Sequence, residues 1–271
     1  MLFDTHCHLD ATEYDPDREC VIARAQDAGV RGILIPAVDV ASFERVRDLA
    51  HAHAWGAYAL GIHPMYVEQA QPDALDQLHA AMMWHRDDPK LVAIGEIGLD
   101  FFVPAIAQGA PRDRQERFYD AQLAMAEEFA LPVLLHVRRS HDTLLKYLRR
   151  RQVPGGFAHA FNGSSQQASQ FIALGFALGM GGAMTYTRAL QIRRLAQEIS
   201  LDSLVLETDG PDIAPAWLTD TRRNEPMQVA RFAQVLAALR QCPVEEIIAA
   251  TGNTALRVCP RLIGAWGLGT L

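Results

Sequence analysis

Short apolar runs alternate along the whole chain with segments whose apolar residues recur every three to four positions, the patterns of buried strands and one-sided helices. The first run predicts a strand over residues 1–6. A helix follows it, from the cap and first-turn pair Asp15-Pro16 to Ala28-Gly29. Residues 32–38 read as a buried strand, and after them Phe43, Val46, Ala50 and His53 share one helical face. The unit then repeats, with a strand over 57–63 and a helix over 72–84. A strand over 91–98 precedes a helix over 112–129 that carries Phe118, Ala121, Met125 and Phe129 in register. Residues 132–137 and 140–150, 156–161 and 164–174, and 176–182 and 188–199 form further strand–helix pairs, and 204–208 is the last strand. About eight such units are what a closed parallel barrel requires, so the α/β class and a TIM-type (β/α)8 barrel are expected. No linker interrupts the pattern, and one domain over 1–271 is expected. The loop over 103–111 is longer than most barrel connections and suits a flap over the mouth.

Barrel enzymes place their chemistry at the carboxyl ends of the strands. The polar residues of this chain fall there. His6 and His8 end the first strand, His63 the third, and Glu96 lies late in the fourth. His136 ends the fifth, His159 lies late in the sixth, and Asp209 follows the eighth. A strand period of two puts Asp4, His6 and His8 on one face, where two imidazoles make half of a divalent metal site. Asp4 is placed to orient one of them by accepting its second N–H. A buried Glu96 among apolar neighbours would cost several kcal/mol unless paired, and a cation supplies the pairing.

Asp209 is the candidate working carboxylate, since a carboxylate beside a metal-activated water can hold the cation and also take the proton. Glu207 shares its strand phase, as a neighbour supporting the site or a buried pairing partner. His63 is expected in the pocket but outside the ligand set, against a substrate oxygen. Asp100 is open between ligand, loop cap and substrate contact. With His63, Arg138 and Glu207 it makes up the candidate substrate-binding group. Arg138, Arg222 and Arg223 lie where guanidinium forks could hold a phosphate. Tyr66, Phe101, Phe102 and Trp217 could stack on unpaired bases.

Composition narrows the function only in part. The chain has 49% hydrophobic residues and a formal net charge of -7, a globular balance that argues against a nucleic-acid-coating protein but leaves room for a local basic rim. Cys7, Cys20, Cys242 and Cys259 include no Cys-x-x-Cys pair, and reduced thiols are expected. Met1-Leu2-Phe3 runs straight into Asp4, so no secretory leader and no membrane span are expected, and the cytoplasm is the expected compartment. Lys90 and Lys146 are the only lysines, and neither sits at a strand end where a modified lysine could bridge two metals. Glu96 would have to fill that place.

Asp4-Thr5-His6-Cys7-His8, Gly61-Ile62-His63-Pro64, Gly95-Glu96-Ile97-Gly98-Leu99-Asp100, Leu135-His136-Val137-Arg138, His159-Ala160-Phe161 and Glu207-Thr208-Asp209-Gly210-Pro211, in this order, resemble the TatD family of metal-dependent hydrolases. Arg223-Asn224-Glu225-Pro226 and Asn253-Thr254-Ala255 fit it too. The resemblance implies a TIM-type barrel with one to three divalent ions and a magnesium-dependent deoxyribonuclease activity that often trims from the 3′ end. Carried over by position, His6, His8, Glu96, His136, His159 and Asp209 would be the ligands, Glu96 bridging, with Glu96 and Asp209 catalytic. Gly210 departs from the more usual Ser or Ala, and the 103–111 loop is longer than expected, both at the pocket rim.

The expected activity is therefore phosphodiester hydrolysis on single-stranded DNA ends by a monomer holding two divalent cations, magnesium, manganese or zinc. A small lactone, amide or phosphoester would be served by the same ligands, because they make the nucleophile and not the selectivity. A non-catalytic binding protein whose ions only stabilise the barrel is the third alternative.

Overall fold

Among the described residues eight parallel strands pair in chain order: β1 Leu2–Asp4, β2 Val30–Pro36, β3 Gly56–Leu60, β4 Leu91–Asp100, β5 Val133–Arg138, β6 Gly156–Ala158, β7 Phe176–Met180 and β8 Leu204–Leu206. The structure is a computed structural model that describes residues 1–269; the last two positions of the expected domain lie outside the described residues. Hydrogen bonds just past the strand ends close the ring between β8 and β1. Thr5 N–H donates to Leu206 O at 3.1 Å, and Asp209 N–H to His6 O at 2.8 Å. The barrel is nearly closed, as the alternating pattern predicts.

Among the described residues ten α-helices accompany the strands: α1 Arg18–Asp27, α2 Phe43–Ala52, α3 Ala74–His85, α4 Gly109–Glu128, α5 His141–Leu148, α6 Ser165–Ala173, α7 Leu190–Glu198, α8 Val229–Arg240, α9 Val244–Val258 and α10 Arg261–Ala265. Phe43, Val46 and Ala50 of α2 are buried on one face, as their spacing requires. Ser164 caps α6 by accepting the Gln167 N–H at 3.1 Å, while the Gln167 side chain accepts the Ser164 N–H at 2.9 Å. Among the described residues no helix is long and apolar enough to cross a membrane.

Strand alternation divides the core into two layers. Ile33, Ile35, Leu60, Leu135 and Leu178 face outward to the helices. Phe3, Leu34, Ala59, Leu134, Phe157 and Val205 fill the inside of the barrel, where they meet Ala255 of α9, Leu262 of α10 and Trp266. The last two helices therefore plug the bottom of the barrel, a role the strand–helix pattern does not predict. Trp266 lies 4.4 Å from Phe3 between ring centroids, and a Cβ on Gly32 would sit 2.4 Å from its indole.

Five strands are shorter than their apolar runs suggest. β1 stops at Asp4 instead of residue 6, β3 at Leu60 instead of 63, β6 at Ala158 instead of 161, β7 at Met180 instead of 182, and β8 at Leu206 instead of 208. Past these points the backbone turns, and Ala160 (φ 45°) and Asp209 (φ 55°) take left-handed conformations that no strand continues. The long loop also shrinks. Helix α4 begins at Gly109, because Pro111 falls in its first turn, where a proline N–H is not needed. Gln115 of α4 pins what remains, its amide donating to Ile106 O at 2.7 Å and its carbonyl accepting the Asp100 N–H at 2.9 Å.

Removing the plug should cost stability without touching the mouth. Trp266→Ala is expected to destabilise by about 3 kcal/mol, read as a lower urea midpoint, with metal content unchanged.

Candidate metal centre

The upper ends of β1, β3, β4, β5, β6 and β8 deliver seven polar groups into one small volume. Glu96 lies inside β4 and is 1% exposed, with His6 beside it at the floor; His8 and Asp209 stand higher, toward the mouth. Gly98 permits this crowding, since a Cβ there would lie 2.2 Å from His136 O.

His6 and His8 reach the site for a reason other than strand phase. Phe3 faces the barrel interior and Leu2 the helices, so strict alternation would send Asp4 and His6 outward. The strand ends at Asp4, and the chain beyond it bends inward. Asp4 does not orient an imidazole either. It accepts the Thr208 N–H at 2.9 Å, the Thr208 hydroxyl at 2.5 Å and the His6 backbone N–H at 3.2 Å, tying the exits of β1 and β8 together. Burial pushes its carboxyl up to about 7, against the Thr208 hydrogen bonds.

Glu96 divides the donors into two sets. Its Oε2 lies 3.1 Å from His6 Nε2 and 3.2 Å from His8 Nε2. Those two nitrogens are 3.3 Å apart, and Asp209 Oδ1 lies 3.4 and 3.5 Å from them. Its Oε1 lies 2.8 Å from His159 Nε2 and 3.0 Å from His136 Nδ1, themselves 3.2 Å apart. Donors held tetrahedrally about 2.1 Å from a divalent ion stand about 3.4 Å from one another. The first set fits that spacing, and the second, at 2.8 to 3.2 Å, is nearer the spacing of about 3.0 Å between neighbouring donors of an octahedral ion. Several nitrogens and oxygens face each other in each set with too few protons to satisfy them, and a cation satisfies all the lone pairs at once.

His63 comes closer than expected. Its Nε2 is 3.3 Å from Glu96 Oε1 and 3.1 Å from His136 Nδ1, so it borders the second set. Its other nitrogen accepts the Met65 N–H at 3.2 Å, which leaves the proton of the neutral ring on Nε2. Burial, opposed by Glu96, lowers its pKa and keeps the ring neutral. His63 thus presents an N–H, not a lone pair.

His136 has the opposite arrangement. Its Nε2 lies 3.2 Å from Asp100 Oδ2, so that nitrogen donates and Nδ1 is left with its lone pair toward Glu96. Asp100 is fully buried, and its Oδ1 also accepts from Phe102 N–H at 2.8 Å and Val103 N–H at 3.0 Å. Of the three roles left open for Asp100, the structure gives it that of loop cap, and adds that of orienting partner of His136. Burial opposes its charge, but His136 and these N–H groups hold it down at about 2.

Glu207 is also buried rather than at the mouth, accepting the Ala160 N–H at 2.5 Å. Arg138 is partly exposed, stacked at 3.8 Å on the Phe102 ring and 3.8 Å from Asp100 Oδ2. Arg223 does not face the mouth as a phosphate fork. It pairs with Asp17 at 2.7 Å and Glu225 at 2.9 Å.

The charges compensate one another. Burial opposes ionisation of Glu96, but His63, His159 and His6 keep it well below the usual carboxylate range. Asp209 is likewise held at about 2, burial being outweighed by His159 and His8. Burial drives His6 down to about 4, whereas His159 rises to about 9 because Glu96 and Asp209 outweigh its burial.

Pattern reading gave no role to three residues that hold the site. Gln122 of α4 accepts the Ile62 N–H at 2.7 Å and donates to Ile62 O at 3.1 Å, fixing the chain before His63. Gln115, seven positions earlier, does the same for the loop after Glu96. Both fall in the buried phase set by Phe118 and Met125, and a polar residue at such positions was the available signal. Asn224 donates to Thr208 O at 2.8 Å and Ile213 O at 3.2 Å, anchoring the loop after Asp209.

The sequence profile of the family described as TatD related DNase matches residues 3–259. The chain is 41% identical over 251 residues to the metal-dependent hydrolase YjjV of Escherichia coli (strain K12), covering 92% of this chain and 94% of that one. It is 32% identical over 261 residues to a 3′-5′ ssDNA/RNA exonuclease TatD of Pantoea sp. (strain At-9b), covering 94% and 97%. The crystal structure of YjjV, a TatD homologue from E. coli K12, superposes with a TM-score of 0.88 at 39% identity over 96% of this chain and 98% of that one.

Coordination requires neutral imidazoles, and His159 is protonated below about 9 when no cation is present. Cation affinity is therefore expected to rise with pH from 6 toward 9, with proton release at pH 7 detected by calorimetry in buffers of different ionisation enthalpy. Asp100→Asn should weaken affinity about 10- to 100-fold, read as metal retained after dialysis.

Proposed function

The chain belongs to the TatD-related DNase family of metal-dependent hydrolases, and we propose that it cleaves phosphodiester bonds at single-stranded nucleic-acid ends, DNA foremost, with two divalent cations. The observation that carries this is Glu96: each of its two oxygens faces a separate set of donors, as a carboxylate shared by two ions does. His6, His8 and Asp209 would hold one ion, His136 and His159 the other, and Glu96 both. Mixed imidazole and carboxylate donors suit zinc, manganese or magnesium.

Bound there, the ions supply Lewis acidity, making water nucleophilic near neutral pH and offsetting charge on a phosphate. The chain's own groups do the rest. Asp209, held ionised and 13% exposed, accepts the proton of the attacking water. His63 offers its Nε2–H as a hydrogen bond to a substrate oxygen, and Arg138, stacked on Phe102, contacts a non-bridging phosphate oxygen. Phe102, exposed beside Arg138, offers a base an aromatic surface to pack on. Glu96 and His6 are buried at the floor of the site, a placement that suits a chain end threaded singly into the mouth.

The name of the Pantoea relative, a 3′-5′ ssDNA/RNA exonuclease, supports the same substrate class. Nucleotide release from a 5′-labelled oligonucleotide should disappear with EDTA and return with added metal. Glu96→Ala and Asp209→Ala should lower turnover by about 100-fold or more while the protein stays folded; either retaining wild-type turnover would defeat the assignment. His63→Ala should lower turnover yet keep the full metal content, measured by elemental analysis, which separates a hydrogen-bond donor to substrate from a ligand.

A further inference from the structure

Two grooves open beside the metal centre, and one arginine stands between them. The first, about 720 Å³, lies across the exits of β5, β6 and β7, with Arg139, His141, Asn162 and Arg188 on its walls. The second, about 760 Å³, lies across the exits of β7 and β8, with Tyr186, Arg188, Asp212 and Arg222. Both connect to the donors through the backbone. Asn162 follows His159 by three residues, and Asp212 N–H donates to Asp209 O at 2.9 Å.

The walls are braced from below. Gln191 donates to Gly163 O at 2.9 Å across the first groove, and the Tyr186 hydroxyl to Ala214 O at 3.0 Å across the second. The arginines are not. Arg24 and Arg223 are interlocked with Asp17 and Glu225. Among the described residues, by contrast, no carboxylate or carbonyl partners the guanidinium of Arg139, Arg188 or Arg222. Arg188 only overlies Tyr186 at 5.5 Å, and Arg139 lies 4.7 Å from the Phe102 ring. In a chain of net charge -7, three unpaired guanidinium groups on one rim make a local field opposite to that of the whole molecule. Asp212 is the one carboxylate among these lining residues, at the end nearest Asp209.

We propose that the two grooves form one phosphate-tracking channel that Arg188 spans, with Arg139 and Arg222 at its two ends, and that it grips the backbone of an oligonucleotide beyond the bond being cut. The channel rests on the phosphodiester activity proposed above and adds what that activity leaves open: why a polymer is preferred over a small phosphodiester. Each groove is large enough for a drug-sized ligand. Guanidinium forks suit successive backbone phosphates, and Tyr186 and Phe102 supply ring faces along the path.

The test compares wild type with Arg188→Ala and with the triple variant Arg139→Ala/Arg188→Ala/Arg222→Ala, each verified for metal content and melting temperature. Binding of a fluorescein-labelled oligothymidylate is followed by anisotropy in EDTA, and hydrolysis of bis(p-nitrophenyl) phosphate is measured with manganese. Arg188→Ala is expected to raise the oligonucleotide Kd about 10-fold. The triple variant should flatten the slope of log Kd against log salt by about 2. Hydrolysis of the small ester, which carries no further phosphates, should stay within about twofold of wild type. Oligonucleotide affinity and salt slope unchanged in the triple variant would overturn the channel, as would a wild type that binds no oligonucleotide. Arginine-dependent binding without hydrolysis of either substrate would leave the channel standing and overturn the phosphodiesterase reading instead.

Discussion

A carboxylate at the centre of a protein needs a partner for each of its lone pairs, and the mouth of this barrel is organised around meeting that need for Glu96. Buried alone it would be destabilising by several kcal/mol. Here both oxygens are met, one by His6 and His8, the other by His136 and His159. Charge compensation of this kind works only where the groups cannot drift apart. That rigidity comes from the strands beneath them and from the hydrogen bonds that close β8 onto β1.

A second layer of polar contacts turns the strand ends into a defined site. Asp100 sets which nitrogen of His136 carries the proton, and the Met65 N–H does the same for His63 with the opposite result. Two imidazoles bordering the same carboxylate oxygen are thereby given different chemistry, one a lone pair and one a proton. Asp4, Thr208 and Asn224 hold the chain on either side of Asp209, whose left-handed backbone costs about 1–2 kcal/mol and persists because its neighbours fix it.

The two ends of the barrel divide stability from chemistry. At the bottom, α9, α10 and Trp266 fill the interior with apolar contacts. At the top, polar side chains replace them, and the arginines fall into two kinds. Arg24 and Arg223, paired with Asp17 and Glu225, fasten α1 to the last long loop. Arg139, Arg188 and Arg222 keep their guanidinium groups open to the grooves.

The sequence by itself determined the barrel and the members of the donor cluster. Repeated strand–helix periodicity leaves few other ways to bury the apolar faces, and polar residues gathered at one end of buried strands have little reason to be there except chemistry. Only the tertiary structure decided what each of those residues does. Asp100 and Glu207 look alike in sequence to residues that meet substrate, yet both are buried; Arg222 and Arg223 are neighbours, yet one is open and the other paired. Those differences depend on which distant backbone groups lie within about 3 Å of a given side chain, and periodicity along a chain carries no information about that distance.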